Sequence, residues 1–162
     1  MIEPIIDIID KPIDRGSYCN RSPLSDSGAV VEFSGIVRGT EDGNRIRGIE
    51  YEVFQEMALA ELKRIAQEII ERYELAELVC IHRSGFVPIH ETAVYVLTAA
   101  RHRREAYEAN IEFIERLKKT VPIWKHPVMG TSKNSEPGFP QASSPMLFAG
   151  MTGMWRLWRF AP

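Results

Sequence analysis

Cationic side chains gather where this chain breaks direction. Arg38 precedes Gly39 and Thr40, His102 and Arg103 stand beside Arg104, and Lys118 and Lys119 are followed, after a proline, by Lys125. Positive groups next to structural breaks suit an anionic ligand, because unpaired backbone donors and a planar guanidinium can hold a phosphate or carboxylate together. A solvated arginine beside a turn is the plain alternative for Arg38. His102 and Arg103 open a helical stretch, where free amides and the positive end of the helix dipole already favour an anion. A basic group there is unfavourable by about a few tenths of a kcal/mol unless something negative offsets it, and that conflict points to a ligand.

The lysines separate by helical spacing. Lys119 has Glu115 four residues before it, as Arg116 has Glu112, and such pairs meet on a helix surface. Lys118 has Ile114 at that spacing and borders the stripe of Ala106, Asn110, Phe113, Ile114 and Leu117. A partly buried lysine with cationic neighbours gives up its proton more readily, which suits nucleophilic or proton-transfer work at neutral pH. The alternative is a side chain whose stem covers core surface while its head reaches water. Lys125 follows Pro122-Ile123-Trp124, an extended stretch with one rigid residue and one large anchor that can fix the lysine's direction; a surface strand residue is the alternative.

The elements that must position these groups follow from periodicity. Ile5 to Ile9 is a β-prone run, and Lys11 to Asp26 is a polar loop or short helix. Ala29 to Val37 and Ile46 to Phe54 flank an Asp42-Gly43 turn signal and predict a β-hairpin. From Gln55 to Tyr73 apolar residues recur at three- and four-residue intervals, predicting an amphipathic helix with a Glu68–Arg72 pair on its surface. Leu78 to His82 and Ala93 to Ala99 read as buried strands, with a short strand between them at Gly85 to Pro88. A second helix is expected from His102 to Thr120, with its end near Pro122. Along one continuous helix Arg103 and Lys118 are about 22 Å apart, too far for one small substrate. Either the cations serve two sites, or each site takes the helix start from one subunit and the helix end from another. The shared site is the expectation.

Composition narrows the classes. The 162 residues, 44% of them hydrophobic, suffice for one substantial core. A formal charge of -2 argues against a globally basic nucleic-acid surface. His82, His90, His102 and His126 lack metal-ligand spacing, so no metal site is expected, and there is no GxGxxG, P-loop or GxSxG run. Cys19 and Cys80 are isolated, and Cys80 in its apolar run reads as a buried thiol in a reducing compartment. The acidic start and the lack of any apolar run near the roughly 18 residues of a membrane span predict a cytoplasmic protein. Residues 1–126 read as one α+β domain. Residues 127–162 are rich in proline and glycine, and read as a tail docked through Trp155 and Trp158.

The same residues carry a family likeness. Phe33-Ser34-Gly35-Ile36-Val37-Arg38, Tyr51-Glu52, His82-Arg83-Ser84-Gly85, His102-Arg103 and, most specifically, Leu117-Lys118-Lys119-Thr120-Val121-Pro122-Ile123-Trp124-Lys125 resemble the large subunits of molybdopterin synthases, the MoaE family. The likeness spans 28 to 125. It implies an α+β fold with an α/β hammerhead-like core, an antiparallel sheet, two main helices and a small β subdomain. It also implies a homodimer of large subunits within a heterotetramer, each binding a ubiquitin-like small subunit. That partner's C-terminal thiocarboxylate supplies the sulfur for cyclic pyranopterin monophosphate, so no resident cofactor is implied. By resemblance Lys118 and Lys125 are catalytic. Arg38, His102 and Arg103 bind substrate, and the Ile36-Val37 backbone and His126 line the pocket. One departure stands out: His126-Pro127 occupy places where the family carries a basic residue and a glutamate, which removes an orienting carboxylate. A non-catalytic relative that only binds a ubiquitin-like protein or a pterin phosphate is the alternative. Retention of all five cationic positions favours the enzyme.

Overall fold

The computed structural model describes residues 2–19 and 27–130. The aromatic run expected to dock lies outside the described residues. The elements are β1 (Ile5–Ile9), α1 (Gly16–Cys19), β2 (Ala29–Ile36), β3 (Thr40–Glu41), β4 (Asn44–Val53), α2 (Gln55–Tyr73), β5 (Glu77–Arg83), β6 (Gly85–Pro88), β7 (Thr92–Ala100), α3 (Arg103–Thr120) and β8 (Ile123–Met129). The class is α+β.

Four strands form the main sheet in the order β1-β5-β7-β2. Its β5–β7 and β7–β2 pairs are antiparallel, whereas β1 runs parallel to β5. A parallel pair needs a long crossover, and the chain supplies it by passing through β2, β4 and α2 between the two. Alternate residues serve opposite faces. Leu78, Cys80, Val96 and Ala100 join the core under the helices. Val79, Ile81, Tyr95, Leu97 and Ala99 form a second cluster against Ile5, Ile9, Ile13 and Tyr18. Burial on both faces explains why β5 and β7 read as continuous apolar runs.

Both long helices lie on the first face. α2 buries Ala58, Leu62, Ile65, Ala66, Ile69 and Ile70, the stripe that its periodicity predicts. It stops at Glu74, whose left-handed φ of 49° turns the chain while its amide donates to the Ile70 carbonyl. α3 buries Ala106, Ala109, Phe113 and Leu117. Asn110 belongs to the same stripe because its amide donates to Thr98 Oγ1 at 3.2 Å, and Thr98 in turn donates to the Ala106 carbonyl at 2.9 Å. That satisfies a buried polar pair which would otherwise be costly. Val121 is extended, as a residue before proline should be. The Pro122 carbonyl then accepts the Phe54 amide at 3.2 Å, tying the end of α3 to the start of α2.

Two expectations are corrected. The hairpin turn exists, with Asp42 at φ 49° and Gly43 at φ 80°, both in the region that such a two-residue turn demands. However, the turn joins β4 to the two-residue β3, while β2 pairs with β7 in the other sheet. A register shift at Gly35/Ile36 ends β2 and releases the chain toward the turn. The Glu68–Arg72 pair also gives way. Arg72 donates to Glu112 at 2.6 Å, and Glu68 accepts from Arg64 and from Arg116, each at 2.5 Å. α3 lies alongside α2, so acids and bases pair between the helices.

A smaller sheet is built on β4, which pairs with β3, β6 and β8. Its core is Val37, Ile46, Ile49, Val87 and Ala93. β8 continues to Met129, so the composition boundary at 126 falls inside a strand. Pro127 fits there because β8, among the described residues, pairs only with β4, and an edge strand tolerates a missing amide proton.

Candidate active site

Three of the cations named from sequence converge. Lys118 sits in the last turn of α3, Lys125 lies on β8 opposite Tyr51 of β4, and Arg38 follows the end of β2. Between Arg38 and Lys125 stands Glu41 of β3. Its Oε1 accepts from the Lys125 ammonium, and its Oε2 accepts from Arg38 Nη2 at 3.3 Å. The Glu41 side chain is only 12% exposed, against 77% for Arg38 and 57% for Lys125, so the carboxylate lies beneath and the cations face solvent.

The local electrostatics follow from this packing. The hydrogen bond from Lys125 holds the Glu41 carboxyl below the usual carboxylate range, with the Lys125 and Arg38 charges adding to the effect against partial burial. Partial burial lowers the pKa of Lys118, and repulsion from Lys125 lowers it further. The two ammonium groups therefore sense one another. Burial and the Glu41 charge push the Tyr51 hydroxyl up. The Tyr51 ring meets His82 edge-on at 5.2 Å. Trp124, read as an anchor, is half-exposed and meets Phe54 edge-on at 6.3 Å.

The remaining sequence candidates fall elsewhere. His102 stands at the N-cap position of α3 without a side-chain capping bond and Arg103 is the helix's first residue, both exposed. They are about 22 Å along the helix from Lys118, so this chain alone does not bring them to the lysines. His102 instead borders an open cleft of about 840 Å³ between Gly28, Glu74 and Glu105.

Within this chain His126 lies off the Lys125 side of β8. Neighbouring strand residues point to opposite faces, and His126 Nε2 meets Glu52 at 3.0 Å, away from the Tyr51 and Lys125 side. The Val37 backbone is engaged within the chain. Its amide donates to the Glu91 carbonyl at 3.0 Å and its carbonyl accepts from His90 at 2.8 Å, so the turn before β7 already uses both groups. Ile36 is exposed beside Arg38.

Sequence reading missed Glu41 and gave Tyr51 no role. Glu41 sits beside an Asp-Gly turn, where an acid is unremarkable, and only the fold brings Lys125 across to it.

A family model described as MoaE protein matches residues 8–120. The chain belongs to the MoaE protein family. Among its relatives, the molybdopterin synthase catalytic subunit of Thermoplasma volcanium is 33% identical over 135 residues, covering 83% of this chain and 98% of that protein. The Bacillus subtilis protein of the same name is 39% identical over 119 residues, covering 74% of this chain and 76% of its own length. The crystal structure of molybdopterin synthase from Staphylococcus aureus superposes with a TM-score of 0.71 at 35% identity, covering 76% of this chain and 90% of that one. A complex of subunits 1 and 2 of the molybdopterin-converting factor from Helicobacter pylori shares the fold, with a TM-score of 0.64 at 22% identity over 79% of this chain and 91% of that one. As a MoaE-family member the chain is an enzyme of molybdenum cofactor biosynthesis. The MoaE family match stops short of Lys125, whereas the Thermoplasma alignment, at 83% of this chain, is long enough to take in β8. Among the described residues no helix is long and apolar enough to cross a membrane.

Proposed function

We propose that this chain transfers sulfur from the C-terminal thiocarboxylate of a ubiquitin-like small subunit to cyclic pyranopterin monophosphate, forming the molybdopterin dithiolene. The observation that carries this reading is the convergence of Lys118, Lys125 and Arg38 on one outward-facing cationic surface. An anionic thiocarboxylate and an anionic pterin phosphate must meet there, and fixed cations reduce their mutual repulsion. Two sulfurs arrive in succession, and the cyclic phosphate opens as the dithiolene forms. Lys125 and Arg38 hold negative charge. Lys118, whose ammonium is destabilised by burial and by Lys125, either stabilises the acyl intermediate or bonds transiently to the carrier's C-terminus.

The site is shared between two copies of the chain in this reading, with His102 and Arg103 supplied by the second copy of a homodimer inside a heterotetramer. The length of α3 supports it, since no single chain spans both clusters with one small substrate. The two-subunit Helicobacter complex of the same fold supports a small-subunit partner. The reaction needs no resident metal or cofactor, because the carrier brings the sulfur. A free, buried Cys80 fits the reducing cytoplasm.

Reconstitution with a thiocarboxylated carrier and the pterin precursor tests the reading. Lys118→Ala and Lys125→Ala should each lose product formation, and full activity in both variants would reject their roles. At a pterin concentration well below KM, where Arg103→Ala dimers are slow and Lys118→Ala dimers inactive, mixing the two kinds of chain should give more activity than the two unmixed variants together. No recovery in verified mixed dimers would reject the shared site.

A further inference from the structure

We propose that Glu41 is a positioning residue, whose sunken carboxylate holds the Lys125 ammonium and the Arg38 guanidinium side by side so that both meet one anionic substrate. The inference rests on the sulfur-transfer reading and adds the group that orients its cations.

Glu41 divides its two oxygens between the two cations, Oε1 to Lys125 and Oε2 to Arg38. A lysine has three donors and an arginine five, so each keeps donors for a ligand after satisfying the carboxylate. The exposures place the acid under the cations, where it does not block an anion arriving from water. Its own support is stiff. β3 is pinned to β4 by the turn at Asp42 and Gly43, and the Ile46 amide donates to the Gly39 carbonyl at 3.1 Å. The strand that carries Lys125 offers it no acid, since His126 and Pro127 follow, and Glu52 on β4 is engaged with His126 on the other face. The hairpin thus supplies from across the sheet the carboxylate that β8 lacks.

A merely stabilising surface pair contributes little, whereas misdirecting a group that contacts substrate can cost far more in rate. Glu41 also lowers the positive potential around the two cations, so its two effects on an anion have opposite signs. Replacing it with an uncharged isostere separates them. In the reconstituted reaction, Glu41→Gln should lower kcat about tenfold or more. Its KM for the pterin should stay unchanged or fall, and its melting temperature should match the wild type. Glu41→Asp, which keeps the charge with a shorter reach, should recover part of the rate. A Glu41→Gln kcat within about twofold of wild type, with Lys125→Ala inactive in the same assay, would overturn the inference. So would a matched loss of stability, kcat and substrate binding.

A second arm does not need turnover and keeps the two proposals apart. Inorganic phosphate binding is titrated for Arg38→Ala, Lys125→Ala and the double variant, in the wild-type background and with Glu41→Gln. Arg38 and Lys125 should be energetically coupled when Glu41 is present and uncoupled when it is not. Equal coupling in both backgrounds would overturn the positioning role. Absence of product from wild-type protein would strike the sulfur-transfer reading alone, leaving this arm to decide on Glu41.

Discussion

The two ends of α3 both carry cations, and they are built in opposite ways. At the C-terminal end Lys118 lies near enough to Lys125 for their charges to repel, and an acid from a distant hairpin orders Lys125 together with Arg38. At the N-terminal end His102 and Arg103 stand exposed, with His102 at the rim of an open cleft. One end is organised by contacts within the chain. The other presents charge outward, the form expected of a group that acts on a neighbouring copy. Position on a helix therefore says little about how a cation works, and the supporting carboxylate says more.

The two ends stay apart only while α3 is one rigid rod, and the largest expected effect comes from loosening it. Phe113 is fully buried midway between the two ends. Phe113→Ala should cost about 3–5 kcal/mol of stability in denaturant unfolding. A cost below about 1 kcal/mol would mean that the rod is not held at its centre.

The two ends should also fail differently under mutation. Lys125→Ala should lower kcat by about a hundredfold or more, because it removes charge stabilisation at the reacting groups. Arg103→Ala should act mainly on KM, raising it about tenfold with kcat largely kept, as expected for loss of uniform binding. Steady-state kinetics over a range of pterin concentrations separates the two. The reverse pattern would mean that the two ends of α3 do not differ in this way.

A smaller effect concerns the floor beneath the ordered end. His82 is buried against Tyr51, and burial lowers its pKa from 6.5 to about 4, partly opposed by a hydrogen bond with the Arg83 carbonyl. Between those values the unfolded chain binds a proton that the folded chain refuses. Stability contributed by neutral His82 is therefore complete above 6.5 and declines as pH falls toward about 4. Denaturant unfolding at about pH 7.5 and about pH 5 should show that decline, and His82→Gln should flatten it. An equally steep decline in the variant would assign the proton to another group.

Much of this arrangement was legible before any coordinates. The bounds of α2 and the end of α3 at Pro122 follow from local rules, the 3.6-residue stripe and the proline stop, and tertiary packing reinforced both. Lys118 stood out because Ile114 occupied the place of its helical partner, and the fold set it beside Lys125. The partner of β2 was not legible. A turn signal is local, and it was satisfied by the two residues of β3, whereas the β2–β7 pairing is decided by two strands far apart in sequence. Glu41 was hidden for the same reason. The side taken by His126 was available, since alternation along an extended strand sends it away from Lys125.

The amide of Phe54 reaching the carbonyl of Pro122 acts as a clasp between the start of α2 and the run that joins α3 to β8. Pro122 lies on the short run between the two lysines, so any sliding of α2 over the sheet pulls on that run. The spacing of the amines is thereby inherited from the helical layer, and slow hydrogen exchange at the Phe54 amide is its natural gauge.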